Sequence, residues 1–175
     1  IGRGRPLRLT LVAAGRTGPN RDLRFGGEGS PLDSRGRRDV TALDCRFADA
    51  VAGPERSVVE TAATLAERVV VVDSLRSIDL GSWTGRRPEE IDISDLGAWF
   101  ADPRATPHGG ESVVDFLGRI RSALRTLAGG PVVVVAAKPV VQAAVVAHRG
   151  LGAADFLGVD ITPATTWAVD ISIDG

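Results

Sequence analysis

Alternation and helical periodicity divide the chain into strand-like and helix-like segments in turn. Leu7, Leu9 and Leu11 recur at every second residue, which predicts a strand over residues 7–12 with one apolar face. A loop rich in Gly, Pro and Arg follows, and Ser34 then predicts the N-cap of a helix with Val40, Leu43 and Phe47 on one stripe. After a short strand at residues 49–52, Val58, Ala62 and Leu65 mark a second helix with Pro54 in its first turn. The β-branched runs at residues 69–72 and 132–135 have the pattern of strands covered on both faces. Between them, residues 73–110 look irregular apart from a short helix at residues 88–91.

Ser112 followed by Asp115 resembles a capping box and opens a long helix to residue 127, with Val113, Phe116, Ile120 and Leu124 on its apolar face. Residues 139–148 are apolar nearly all round, which predicts a buried helix ended by Gly150. Residues 165–171 read as a last strand. Alternating strands and helices predict an α/β fold: a three-layer α/β/α arrangement, its mostly parallel sheet flanked by helices. One domain is expected over residues 1–175, with residues 1–6 as a flexible tail.

Composition changes this picture little. A hydrophobic fraction of 43%, a charged fraction of 25% and a net charge of −1 describe an ordinary globular chain with no field to draw nucleic acid or membrane. The basic cluster Arg3, Arg5 and Arg8 reads as a solvated tail. Cys45 is the single cysteine, placed in a predicted helix, so no internal disulfide is available. No apolar run is long enough to span a membrane and no signal-peptide pattern opens the chain, so a cytoplasmic location is expected. No Cys/His spacing suggests a metal site, and no cofactor is expected. Of the 21 lysines and arginines, Lys138 is the one lysine.

The first predicted strand runs into Val12-Ala13-Ala14-Gly15-Arg16-Thr17, with Asn20 three residues on. Arg24-Phe25-Gly26-Gly27, Pro31-Leu32 and Gly36-Arg37 follow in that order. This register resembles the opening of the histidine phosphatase (phosphoglycerate mutase-like) superfamily: Arg-His-Gly-x-Thr, then Asn, Arg-Phe-x-Gly and Pro-Leu-x-x-x-Gly-Arg. Gly53-Pro54-Glu55-Arg56-Ser57 with Glu60-Thr61-Ala62 is similar to the family's Ser-Pro-Leu-x-Arg-Ala-x-x-Thr-Ala. Leu75-Arg76-Ser77-Ile78-Asp79-Leu80-Gly81-Ser82-Trp83-Thr84-Gly85 resembles Leu-Arg-Glu-Ile-Asp-Phe-Gly-x-Trp-x-Gly, a specific segment. Gly109-Gly110-Glu111-Ser112 matches Gly-Gly-Glu-Ser, and residues 133–137 stand in the place of a Val-Val-x-His strand end.

The resemblance implies a phosphoglycerate mutase-like fold and a particular chemistry. A histidine at the end of the first strand attacks phosphorus, two arginines and a second histidine hold the phosphoryl oxygens, and a glutamate protonates the leaving oxygen. Carried over residue by residue, the first-motif arginine falls on Ala13 and the nucleophile on Ala14. The second arginine falls on Ser57, the acid on Ser77 and the second histidine on Ala137. Arg56 lies beside Ser57 but about 100° away around the helix. The chain's two histidines, His108 and His148, lie in neither strand-end motif.

These positions lead to the expectation of a catalytically inactive member: a pseudophosphatase without catalytic residues that binds a small anionic ligand or a protein partner. Candidate ligand-binding residues are Gly15, Arg16, Thr17 and Asn20 after the first strand, Lys138 at a helix start where anions are drawn, and His108. Two other readings stand beside it. One is an enzyme with different chemistry in the same cleft, using Arg16, Lys138, His108 or Glu111; the other is a structural subunit whose partner supplies the active residues. The oligomeric state is not legible.

Overall fold

A computed structural model gives the structure and describes residues 5–127, 129 and 132–173. Strand β1 (Leu7–Ala13) lies near the middle of a five-stranded sheet of order β3-β2-β4-β1-β5, with β2 (Phe47–Ala52), β3 (Ala66–Val71), β4 (Val132–Ala136) and β5 (Thr166–Ile171). The β1–β4, β2–β4 and β2–β3 pairs are parallel, while β5 runs antiparallel to β1. The sheet is thus mostly parallel and flanked by helices, as the sequence predicts.

The alternation in β1 sets the layers. Leu7, Leu9, Leu11 and Ala13 pack into a core with Phe116, Ile120 and Leu124 of α5 (Val113–Arg125) and Val140, Val141 and Ala144 of α6 (Lys138–Arg149). Val12 and Ala14 face the other way, into a second core with Val40 of α2 (Ser34–Thr41) and Val58, Ala62 and Leu65 of α3 (Arg56–Leu65). A one-turn helix α1 (Gly18–Arg21) follows β1, and α4 (Ile93–Ala101) lies in the long segment before α5. Among the described residues no helix is long and apolar enough to cross a membrane.

Several expectations need correction. Asp33, not Ser34, caps α2: its backbone is extended and its Oδ1 accepts from Gly36 N–H at 2.7 Å. Phe47 belongs to β2, and Cys45 to the connection before it. Pro54 precedes α3, whose N-cap is Glu55. The run at residues 69–72 is an edge strand, with Val70 and Val71 exposed rather than covered on both faces, because β3 pairs with β2 alone. Helix α4 was invisible to periodicity because it buries only Trp99 and leaves Ile93 and Phe100 in solvent. The long helix ends at Arg125, and Ser112 caps it as expected, accepting from Asp115 N–H at 3.1 Å. Gly150 ends α6 in the left-handed region, φ +63°, a conformation that favours glycine. Of the expected tail, Arg5 and Pro6 are exposed and residues 1–4 lie outside the described residues, so Arg3 does too. Arg8 is instead paired with Asp170 of β5 at 3.1 Å.

Candidate active site

Parallel pairing brings Ala13 of β1 into register with Ala136 of β4, so both strands end side by side. A cleft of about 480 Å³ opens over these ends. Sheets of this kind bind their ligands beyond the carboxyl ends of the strands. Ala14 and Ala137 line the cleft with methyl groups, Gly15 and Arg16 follow β1, and Lys138 begins α6. Ala13 is fully buried on the opposite face of the sheet with the α5–α6 core.

The chain after β1 is held closely. Gly15 N–H donates to Thr61 Oγ1 of α3 at 3.1 Å, and the Thr61 hydroxyl donates to Ser57 O at 2.7 Å. Gly36 presses so tightly on this loop that a Cβ there would lie 2.2 Å from Arg16 O, which only glycine avoids. Arg16 lines the cleft with its Nε bound to Asp33 Oδ2 at 2.8 Å. Asn20 also lines it, but its amide does structural work: Oδ1 accepts from Thr17 N–H and Nδ2 donates to Gly26 O. Thr17, expected at the ligand, is fully buried as the cap of α1 and does not line the cleft.

Ser57 lines the cleft at the start of α3, with both its N–H and its hydroxyl directed to the carbonyl oxygen of Glu28. Glu28, like Arg24 and Gln142, is a cleft residue that the sequence reading missed. Its only signal in the sequence is a lone acid in the glycine-rich run 26–29. Burial pushes the Glu28 carboxyl above the usual carboxylate range; its own backbone N–H pulls it partly back, and Glu55 pushes it up again. Glu55 holds the N–H of Ser77 with Oε1, while its Oε2 is buried without a hydrogen-bond partner. Ser77 itself lies outside the cleft lining.

The remaining candidates separate. Lys138 is exposed on the cleft rim and makes no ion pair within 4.0 Å among the described residues. His108 is no pocket residue: it is 3% exposed, packed edge-on against Trp83 and Trp99 with ring centroids 5.1 and 4.7 Å away. Its Nδ1 accepts from Gly110 N–H at 2.9 Å, its Nε2 is buried without a partner, and burial lowers its pKa against a smaller upward pull from Asp79. His148 accepts from Asp170 N–H at 3.0 Å, away from the cleft. Glu111 is bound by Arg119 through two 2.8 Å hydrogen bonds and is likewise outside the cleft.

Fold and cleft together define an α/β protein of the phosphoglycerate mutase-like class, with a cleft at the strand ends. The chain belongs to the histidine phosphatase superfamily (branch 1), whose model matches residues 9–175. It is similar to a bifunctional protein of Mycobacterium tuberculosis, 38% identical over 133 residues, which cover 68% of this chain and 36% of that one. The chain thus spans about a third of the length of that relative. It is also 34% identical over 177 residues to a glucosyl-3-phosphoglycerate phosphatase of the same species, covering 93% of this chain and 79% of the other. The native structure of a mycobacterial glucosyl-3-phosphoglycerate phosphatase superposes with a TM-score of 0.77 at 27% identity, covering 94% of this chain and 90% of that one. The α-ribazole phosphatase of Shigella flexneri shares the fold, with a TM-score of 0.79 at 19% identity over 97% of this chain and 96% of that one.

These relatives correct one expectation. The chain was expected not to be an enzyme, yet relatives that it matches over 93% and 94% of its length are named phosphatases, which points to an enzyme.

Proposed function

We propose that the chain is a phosphatase-type enzyme whose cleft takes the phosphate group of a small molecule, and that water rather than a side chain attacks the phosphorus. The observation that carries this reading is the pairing of a methyl floor, Ala14 and Ala137, with the cation Lys138 on the rim of the same cleft. A methyl group has no lone pair to offer phosphorus, so the phosphohistidine route implied by the resemblance has no nucleophile at Ala14. The Ser57 hydroxyl is engaged with the Glu28 carbonyl, and both histidines lie outside the cleft lining. Ala13 and Ser77, the other positions to which the resemblance assigns family roles, also lie outside it.

Water remains as the attacking group. Its oxygen bonds to phosphorus, the ester P–O bond breaks, and a proton from the water ends on the leaving oxygen, giving an alcohol and inorganic phosphate. Lys138, Arg16 and the N-terminal end of α6 offset the phosphoryl charge. Sites that keep binding and dipoles but lose their nucleophile retain about 10³–10⁴ over the uncatalysed rate, which sets the expectation of slow turnover. The 34% identical phosphatase supports a phosphorylated small organic molecule as the substrate class.

Phosphate release from p-nitrophenyl phosphate, phosphoglycerates and sugar phosphates tests this reading. Slow release, weakened by Lys138→Ala and without an acid-labile phosphoenzyme, is expected. No release from any ester overturns the enzyme reading, and a phosphohistidine trapped on His108 or His148 overturns water attack.

A further inference from the structure

Glu28 brings a carboxyl group into a cleft that otherwise suits an anion. Its position is fixed from the main chain: Ser57 N–H and Ser57 Oγ–H both donate to its carbonyl oxygen, at 3.1 and 2.8 Å. Glu28 lines the same cleft as Ala14, Ser57 and Lys138, and its Oε2 would lie 3.8 Å from a Cβ placed on Gly26, another residue of that lining. Among the described residues no cation lies in ion-pair contact with that carboxyl. The charged groups around it are Glu55 at the cap of α3, Arg16 and Arg24 on the loop side, and Lys138 of α6. Glu55 adds negative charge, and its Oε2 is buried without a partner.

An ionised Glu28 would repel a tetrahedral dianion in this cleft, whereas a protonated Glu28 would donate a hydrogen bond to it. We propose that Glu28 holds a proton whenever the cleft is occupied, so that the cleft takes up its doubly charged tetrahedral oxyanion together with one proton. This rests on the reading of the cleft as a phosphate site and adds which charge state of the protein that site requires. Burial of the carboxyl supports the same direction, since it already favours the neutral acid in the empty cleft.

Inorganic sulfate is the suitable probe, because it stays a dianion from mildly acidic to alkaline pH. Calorimetric titration in buffers of different ionisation enthalpy reads both affinity and proton uptake. Wild-type affinity is expected to fall about tenfold per pH unit above the pH at which Glu28 ionises in the empty cleft, with close to one proton taken up per sulfate in that range and none at lower pH, where the carboxyl is already protonated. Glu28→Gln, a permanent neutral donor, is expected to bind with no pH slope and no uptake from this group. Lys138→Ala is expected to weaken binding at every pH while keeping the uptake. A wild-type protein that binds sulfate without proton uptake at any pH overturns the proposal, as does a folded Glu28→Gln protein with the wild-type slope. A protein that binds neither sulfate nor any phosphate ester overturns the cleft reading itself, a distinguishable failure.

Discussion

Ser57 gives both of its donors to the carbonyl oxygen of Glu28, across 29 residues of sequence. The contact sits at the second residue of α3, where a helix N–H has no partner of its own, and the N-cap residue Glu55 supplies no side-chain bond there. A loop carbonyl therefore satisfies the helix start, and the same bond sets where the Glu28 carboxyl enters the cleft. Ser57→Ala keeps the N–H and loses the hydroxyl bond, an expected loss of about 0.5–1.5 kcal/mol in urea unfolding. Faster amide exchange confined to residues near Glu28 would locate the loss at this contact; an unchanged unfolding midpoint would show the hydroxyl bond to be idle.

The aromatic cage of His108 makes stability depend on pH. Its pKa is lowered on folding, so the unfolded chain binds the proton more readily, and the ring contributes stability that is fully present above its unfolded pKa of about 6.5. That contribution is lost as pH falls through the lowered folded pKa, where a proton on Nδ1 also removes the acceptor of Gly110 N–H. Glu28 acts in the opposite sense: its raised pKa gives stability that is present below its unfolded value and lost as pH rises. The two are separated by mutation. His108→Asn keeps a short acceptor but loses two edge-on ring contacts, expected to cost about 1–3 kcal/mol at neutral pH. Its unfolding free energy should fall less steeply from neutral to mildly acidic pH than that of the wild type.

The sheet and the buried helices were legible because their signals are repeated. Leu7, Leu9 and Leu11 alternate, and α6 is apolar all round with a glycine stop, so each assignment rests on several residues agreeing. Helix α4 was not legible because its exposed Ile93 and Phe100 break the stripe on which periodicity depends. At the site, the register of the motifs sets Ala14, Ala137 and Lys138 at strand ends, and these residues line one cleft because parallel strands deliver their ends to one edge. Thr17 and His108 were misplaced because a side chain's direction is set by tertiary packing: one caps a helix and the other fills an aromatic cage. Glu28 was missed for the converse reason. Nothing in a glycine-rich run says that a carbonyl bond 29 residues away will hold one carboxyl at the cleft.

Arg119 gathers the long segment before α5 into one piece. Its Nε and Nη2 bind the two carboxylate oxygens of Glu111 at 2.8 Å, and Nη1 donates to Ser74 O and Arg76 O at 3.0 Å. Both side chains are largely buried, and the guanidinium lies 5.2 Å from the centre of the Phe116 ring. Arg119→Ala strands a largely buried carboxylate and frees the carbonyls of Ser74, Arg76 and Ser77, an expected loss of about 3–5 kcal/mol in denaturant unfolding. Arg119→Lys recovers little of it, because an ammonium cannot reproduce the planar two-pronged contact. Full recovery by lysine would show that only the charge matters here.

Lys138 offers a test in which stability and binding move in opposite directions. It is the first residue of α6, where the helix dipole disfavours a cation, and Ala137 before it supplies no side-chain cap. Lys138→Ala should therefore raise unfolding stability by a few tenths of a kcal/mol, since the side chain is exposed and salt screens much of the effect. The same change removes a cation from the rim of the cleft proposed to take phosphate, and affinity for a phosphate monoester should fall about tenfold, as expected for one charge-assisted hydrogen bond. Lys138→Glu exaggerates both trends: an acid at a helix start is favourable, while a second carboxylate beside Glu28 repels the dianion. Thermal unfolding and ligand titration on the three proteins together decide the point. A lysine held for structure would lose stability on replacement, and a lysine uninvolved with the ligand would leave the titration unchanged. Only a residue kept for its ligand makes the protein more stable and less able to bind when it is removed.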